Sequence, residues 1–129
     1  MNMDGEDRLR RTDAQLTAAT ARIGDAAVVH LRGTADLETR ELLDNILQTA
    51  AEGVIAVIVD LDGLEFLSST GLSLLMQLHN KLAADDRELR LVAHYRHLLR
   101  PFELTGLHDE LNFDQSVDEA LAVVARHHG

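Results

Sequence analysis

The sequence contains no cysteine, which excludes disulfide bonds, thiolate nucleophiles and thiolate metal sites. Tryptophan is also absent and aromatic residues make up only 3% of the chain, so no aromatic platform for stacking bases is expected. No apolar run is long enough to cross a bilayer, and the first 14 residues mix acids with arginines, unlike a signal peptide. The sequence therefore predicts a cytoplasmic protein with a core of Leu, Val, Ile and Ala.

Positive charge is scarce as well. The chain has 12 Lys and Arg residues against 22 Asp and Glu residues, which gives a formal net charge of −10. Phosphates of nucleic acid and anionic lipid headgroups would be repelled by such a chain before contact. We therefore expect a protein partner, with no nucleic acid and no membrane.

The length and composition are those of one globular domain. With 129 residues, of which 46% are hydrophobic and 26% charged, the chain can bury a single core. The charged, aperiodic start predicts a flexible arm at 1–14, followed by one domain at 15–129.

The order of predicted elements indicates the α/β class. Strands are predicted at 15–23, 26–32, 54–59, 88–93 and 111–113. Helices are predicted from a cap at Asp36 to a stop at Gly53, and at 69–84, 100–106 and 116–126. Strands that alternate with helices imply crossover connections. We therefore expect a mixed, mostly parallel sheet with an N-terminal hairpin and about four helices.

The most informative segment is 60–82, where an apolar strand leads through a short loop into a helix. That helix opens with three hydroxyl residues, Ser68, Ser69 and Thr70, followed by Gly71. Serine and threonine are common N-caps because their oxygens satisfy unpaired backbone N–H groups. For each hydroxyl, capping alone is therefore an alternative to a functional role.

A helical wheel separates the two sides of this helix. Its apolar side is formed by Gly71, Leu75, Leu78 and Leu82. Ser69 and Ser73 lie opposite, so Ser69 is expected to face solvent. Leu72 and Met76 fall between the two sides, where they either extend the core or form a docking patch beside the polar residues.

Three motifs together resemble the STAS domain of anti-sigma factor antagonists. The first is D-L-x-x-L-x-F-L-S-S-T-G-L at 60–72, and the others are G-x-x-D at 33–36 and F-E-L-T-G-L at 102–107. Their order and spacing match the family, and the similarity covers about 15–126. The resemblance implies a single STAS-like domain that is not an enzyme, needs no cofactor and binds an anti-sigma factor that is also a serine kinase. We expect a monomer or a weak dimer.

The resemblance also implies a modification site. In that family the kinase phosphorylates the hydroxyl residue that follows an aspartate in a D-S-x-G pattern. Carried over, the acceptor is Ser69, and Ser68 stands where the family has aspartate. This departure leaves Ser68 and Thr70 as alternative acceptors. The family pattern places Asp36 near the site, although helix capping is an equally good explanation of that residue. The predicted partner-binding residues are Asp36, Ser69, Leu72, Ser73 and Met76.

Other kinds of site are not supported. The histidines, including His94 and His97, lack the cysteine or H-E-x-x-H pattern of a metal site, so no metal is predicted. The G-x-S-x-G of a hydrolase is absent, and no catalytic residue is predicted. Asp60 and Asp62 are expected to be solvated turn formers rather than paired catalytic acids.

Two functions remain open. In the first, the unmodified chain binds an anti-sigma kinase and frees a sigma factor, and phosphorylation within Ser68–Thr70 ends the binding. In the second, the chain is a constitutive STAS subunit of a lipid-transport or stress-signalling complex and is not phosphorylated. The missing aspartate favours the second, and the hydroxyl cluster favours the first.

Overall fold

The computed structural model describes residues 15–128, so the predicted arm at 1–14 lies outside the described residues, as does Gly129. The strands are β1 (Leu16–Ile23), β2 (Ala26–Ala35), β3 (Ala56–Leu67), β4 (Glu88–Val92) and β5 (Asn112–Asp114). The helices are α1 (Arg40–Ala50), α2 (Ser69–Ala84), α3 (Arg96–Thr105) and α4 (Val117–His128), with a 3-10 turn at Leu107–Asp109.

The strands form one five-stranded sheet in the order β1-β2-β3-β4-β5. β1 and β2 are an antiparallel hairpin, and the three remaining pairings are parallel. The described part of the chain therefore confirms the predicted α/β class, with its mixed sheet, N-terminal hairpin and four helices.

The helices lie in two layers. α1, α2 and α3 each connect neighbouring parallel strands, and right-handed crossovers bring all three to one face of the sheet. Their buried side chains share a core with Val57 and Val59 of β3. α4 covers the opposite face, where Ala120 and Val124 pack with Ile58.

β3 is the central strand, as predicted. Val57, Ile58 and Val59 are fully buried because helices cover both faces of the sheet at this point. Leu75 and Leu78 of α2 are each 1% exposed and belong to the same core as Val57. The apolar side of the predicted helix is therefore confirmed.

The turn predicted at 60–63 is wrong. β3 continues through this segment to Leu67, and its register with β2 shifts between His30 and Arg32 and again between Gly33 and Thr34. Gly63 sits where a Cβ atom would collide with the backbone oxygen of Leu31. The glycine therefore permits a close approach of two strands and does not end the strand.

The start predicted for the first helix is also wrong. α1 begins at Arg40 with Thr39 at its N-cap position. The Asp36 carboxylate accepts the Thr39 N–H at 3.1 Å, and the Asp36 N–H donates to the Thr39 hydroxyl at 3.0 Å. Asp36 therefore caps a separate turn that precedes α1.

α3 starts four residues earlier than the predicted 100–106 and contains Pro101 in its interior. Proline there removes a backbone hydrogen bond, but Leu98 and Phe102 are fully buried on either side of it. The free energy gained by burying these two side chains outweighs the penalty for proline inside the helix. The helix ends at Gly106, which adopts φ 76°, as expected. The bounds predicted for α2 are confirmed, and those of β1, β2, β4, β5 and α4 agree within three residues.

Candidate functional site

The predicted site lies at the carboxyl edge of the parallel strands. Ala35, the last residue of β2, pairs with Leu67, the last residue of β3. The Ser68 N–H donates to the Ala35 carbonyl oxygen at 2.9 Å. Asp36 and Ser68 follow these paired residues directly, so the structure brings Asp36 and the hydroxyl cluster to the same edge.

Gly71 determines how closely α2 approaches this edge. A Cβ atom at Gly71 would lie 2.6 Å from Leu67 Cδ1 and 3.3 Å from Ala35 Cβ. Without a side chain, the first turn of α2 can pack directly on the ends of β2 and β3. The position of Ser69 is thereby tied to the sheet rather than to a free loop.

The hydroxyl residues differ in their surroundings. Ser68 is the N-cap of α2, is half-buried, and accepts the Gly71 N–H at 3.4 Å. Thr70 is also half-buried. Ser69 and Ser73 are exposed, so the prediction that Ser69 faces solvent is confirmed.

Leu72 does not lie on the surface, contrary to its prediction as a partner-binding residue. Its side chain is only 4% exposed and belongs to the main core. α2 packs against both α1 and α3, so its buried side is wider than the sheet-facing side alone. Met76 is half-buried and packs against the same core, which leaves part of its side chain accessible.

Two exposed apolar residues at this edge were not predicted. Leu37 follows Asp36 and is 74% exposed, and Phe66 precedes Leu67 and is 53% exposed. Phe66 was missed because side chains no longer alternate regularly after Leu61, where the register with β2 shifts. Leu37 could have been noticed as an apolar residue in an otherwise polar turn. Together they expose apolar area at the same edge as the predicted acceptor.

The charge at this edge is mixed. Asp36, Glu38 and Glu65 lie along it, and Arg40 and Arg96 begin α1 and α3 there, whereas the first turn of α2 carries no acidic residue. The N-terminus of α2 therefore presents its unpaired N–H groups and the positive end of the helix dipole beside Ser69.

Asp60 and Asp62 are strand residues that pair with histidines, and the prediction that they are turn formers is wrong. Asp60 Oδ2 lies 2.9 Å from His30 Nδ1. Asp62 Oδ2 lies 2.5 Å from His94 Nδ1, and Asp62 Oδ1 accepts the His94 backbone N–H at 2.8 Å. The second pair joins β3 to the segment after β4.

The contacts of His94 favour its charged form. Two hydrogen bonds raise the pKa of His94 above the ordinary value. The bond to the Asp62 carboxylate has the largest effect, and the bond to the Gln115 carbonyl oxygen has the next largest. Because the folded pKa lies above the unfolded one, the stability from this pairing is fully present below the unfolded value of about 6.5. It is lost as the pH rises through the folded value.

We expect Asp62→Asn to lower the pKa of His94 in a histidine NMR titration, because the main stabilising charge is removed. Asp60→Asn is the matched control and should lower it less, since Asp60 is the weakest of the contributing groups. Equal shifts in the two variants would contradict this assignment.

A metal centre is not formed in the described part of the chain. Within residues 15–128, the His, Asp and Glu side chains form no group of three that could hold a metal ion. His97, considered with His94 in the sequence, has its Nε2 atom 3.1 Å from the Leu64 carbonyl oxygen. Across the same residues, every helix is too short or too polar to span a membrane.

Comparisons with known proteins agree on one family. A model of the STAS domain matches residues 17–120. A Mycobacterium tuberculosis protein, Rv2638, named as a candidate anti-anti-sigma factor, is 32% identical over 109 residues, which is 82% of this chain and 74% of that protein.

Solved structures show the same fold. The crystal structure of an anti-sigma factor antagonist from Mycobacterium paratuberculosis is 29% identical, with a TM-score of 0.79 over 85% of this chain and 94% of that one. The Bacillus cell fate determinant SpoIIAA in its phosphorylated form is 21% identical, with a TM-score of 0.65 over 84% of this chain and 99% of that one. At that identity, the second likeness shows the fold alone.

Proposed function

This chain belongs to the STAS domain family, and from that premise we propose that it is an anti-sigma factor antagonist controlled at Ser69. In this role the chain binds an anti-sigma factor that is also a serine kinase, and a sigma factor is released. The names of the relatives from Mycobacterium tuberculosis and Mycobacterium paratuberculosis support the antagonist role. The role is regulatory and requires no catalysis by the chain itself.

One observation carries the proposal: the Ser69 hydroxyl is exposed at the start of α2, at an edge that also exposes Leu37 and Phe66. Exposed apolar side chains with a polar surround are typical of protein-binding surfaces. We define the docking surface by six accessible residues at this edge and on the adjoining start of α2, namely Asp36, Leu37, Phe66, Ser69, Ser73 and Met76. Leu72 is excluded because it is buried.

Ser69 is the best acceptor of the three hydroxyl residues. A kinase must surround the hydroxyl with its own active site, which requires an accessible side chain. Ser68 is half-buried with its oxygen engaged by the Gly71 N–H, and Thr70 is half-buried as well. Ser69 alone among them is exposed.

Phosphorylation would act on binding rather than on folding. A phosphoryl group adds between about −1.5 and −2 charges at neutral pH in the middle of the docking surface. The N-terminus of α2 favours a phosphate locally, so the helix should persist. The added bulk and charge, next to the existing charge of Asp36, would oppose the approach of the partner.

Incubation with the cognate kinase and ATP tests the proposal. We expect site-resolved mass spectrometry to find phosphate on Ser69 and not on Ser68 or Thr70, and Ser69→Ala to abolish it. Phosphate on Ser68 or Thr70 instead would move the acceptor, and phosphate on none of the three would contradict a phosphorylation switch.

A constitutive STAS subunit of a lipid-transport or stress-signalling complex is the second candidate, because Ser68 replaces the aspartate that precedes the acceptor in the family. Ser68→Asp separates the two, since aspartate is an equally good N-cap and should leave α2 intact. If the kinase modifies Ser69 only in the Ser68→Asp variant, the natural chain is the constitutive subunit. Equal modification of both proteins supports the switch.

A further inference from the structure

The two edges of the sheet are very different. β5 contributes three residues to one edge, whereas β1 contributes eight to the other. Seven of those eight, Thr17–Ile23, are exposed, and only Leu16 is buried. The pairing of β1 with β2 is regular from Leu16 to Ile23 and contains no bulge. Among residues 15–128, the outer side of β1 is therefore a row of backbone donors and acceptors that no other strand pairs with.

β1 lacks the features that usually protect such an edge. Proline, lysine, acidic residues and bulges all discourage strand pairing, and Thr17–Ile23 contains none of them. The single charge belongs to Arg22, whose guanidinium donates to the Gly53 carbonyl oxygen at 2.6 Å. Because that side chain is turned toward the loop after α1, its charge does not prevent another strand from pairing with this edge.

We propose that β1 is a pairing surface for a second copy of this chain. The two β1 strands run antiparallel around a two-fold axis at Thr20, so that two five-stranded sheets join into one. An axis perpendicular to the sheet keeps each helical layer on its own side and pairs residues of the same face. The resulting cross-strand pairs are Thr20 with Thr20, Ala19 with Ala21, Ala18 with Arg22, and Thr17 with Ile23.

The charge of the chain restricts where on its surface a second copy can bind, and β1 is a place that allows it. Each chain carries a net charge of −10, so two copies repel each other over most of their surfaces. Thr17–Ile23 has no acid among its residues. In the proposed register, the two Arg22 residues are four positions apart along the seam, roughly 13 Å, which is beyond the Debye length of about 8–10 Å at physiological salt.

The cross-strand pairs are also compatible with one another. Facing threonines stabilise an antiparallel pair, the alanines bring no clash, and no like charges lie opposite each other. The contact is short, about 23 Å for seven residues, and stays below the area of a standard stable interface. The dimer should therefore be weak and depend on concentration. The proposed dimer does not involve Ser69, so a test of the dimer is independent of the proposed phosphorylation switch.

Engineered cysteines test both the contact and its register, because the natural chain has no cysteine. In the proposed dimer the two residues at position 20 face each other with Cα atoms about 4.5–5.5 Å apart, within the range of a disulfide. The two residues at position 18 would be four positions apart and out of reach. We expect Thr20→Cys to form disulfide-linked dimers at least about tenfold faster than Ala18→Cys under mild oxidation, as pre-association raises the local thiol concentration.

Sedimentation equilibrium gives a second readout. Thr20→Glu places two like charges face to face at the axis and should weaken self-association, whereas Gln77→Glu adds the same charge on α2 and should not. Equal rates of cross-linking at positions 18 and 20, or equal association of the two glutamate variants, would overturn the proposal. If the edge pairs with a strand of another protein instead, these equal rates and equal association are the expected results.

Discussion

Replacement of Ser69 by aspartate is expected to weaken binding of the partner kinase by one to two orders of magnitude, or about 1.4–2.8 kcal/mol. The reason is electrostatic, because the change puts a charge into the centre of the docking surface where the partner must exclude water. Ser69→Ala removes only a hydroxyl and should have a much smaller effect. Isothermal titration calorimetry of the three proteins with the kinase measures the differences.

Asn80→Asp provides the matched control for this substitution. Asn80 is exposed and lies further along α2, so aspartate at this position adds the same charge to the same helix. The two positions are 11 residues apart, or about 16 Å along the helix axis, and Asn80 lies one turn past Met76, outside the residues that define the docking surface. Aspartate at position 69 also suits the first turn of a helix, so folding should be preserved. If Ser69→Asp and Asn80→Asp bind the kinase equally well, Ser69 lies outside the interface.

Gly33→Ala is expected to lower the free energy of unfolding by roughly 2–6 kcal/mol. Gly33 adopts φ 101°, which an L-residue rarely adopts, and a Cβ atom there would collide with the backbone oxygen of Gln15. That same oxygen accepts the Thr34 N–H, so the collision also disturbs the pairing of β1 with β2. Urea unfolding followed by circular dichroism measures the loss.

Gly24→Ala separates the cost of the positive φ from the cost of the Cβ collision. Gly24 also has a positive φ, of 60°, but nothing lies within 4 Å of the position that its Cβ would occupy. That variant should therefore lose only the backbone term, about 1–2 kcal/mol. Similar losses in both variants would mean that the close approach of β1 to Gly33 contributes nothing to stability.

Much of the fold could be predicted because local signals agreed with the tertiary structure. The unbroken apolar run at 54–59 indicated a strand buried on both faces, and Val57–Val59 are fully buried. The 3.6-residue spacing of Leu75, Leu78 and Leu82 identified the side of α2 that packs on the sheet. Both signals are local, because the periodicity of apolar residues within one element records which of its faces are covered.

The errors occurred where a third neighbour decides the outcome. Leu72 lies beside the sheet-facing side of α2 and is buried, because α2 also packs against the neighbouring helices α1 and α3. Pro101 lies inside α3 because the burial of Leu98 and Phe102 exceeds the local penalty. Neither contact is present in the local pattern of the sequence.

The site could be predicted in part. A serine opposite the apolar side of a helix is expected to be exposed, and Ser69 is exposed. Leu37 and Phe66 could not be found by periodicity, because one lies in a turn and the other follows the register shift of β3. The apolar part of the docking surface was therefore not predicted, because the backbone is irregular at both positions.

The order of the strands in the sheet repeats their order in the chain. During synthesis each strand can therefore dock on the strand made just before it, and the sheet can grow from the N-terminus as the chain leaves the ribosome. α4, which follows all five strands in the chain, is the cover for Val28 and Ile58 on the second face. That apolar face therefore stays uncovered until α4 itself has been synthesised, long after the strands that form the face.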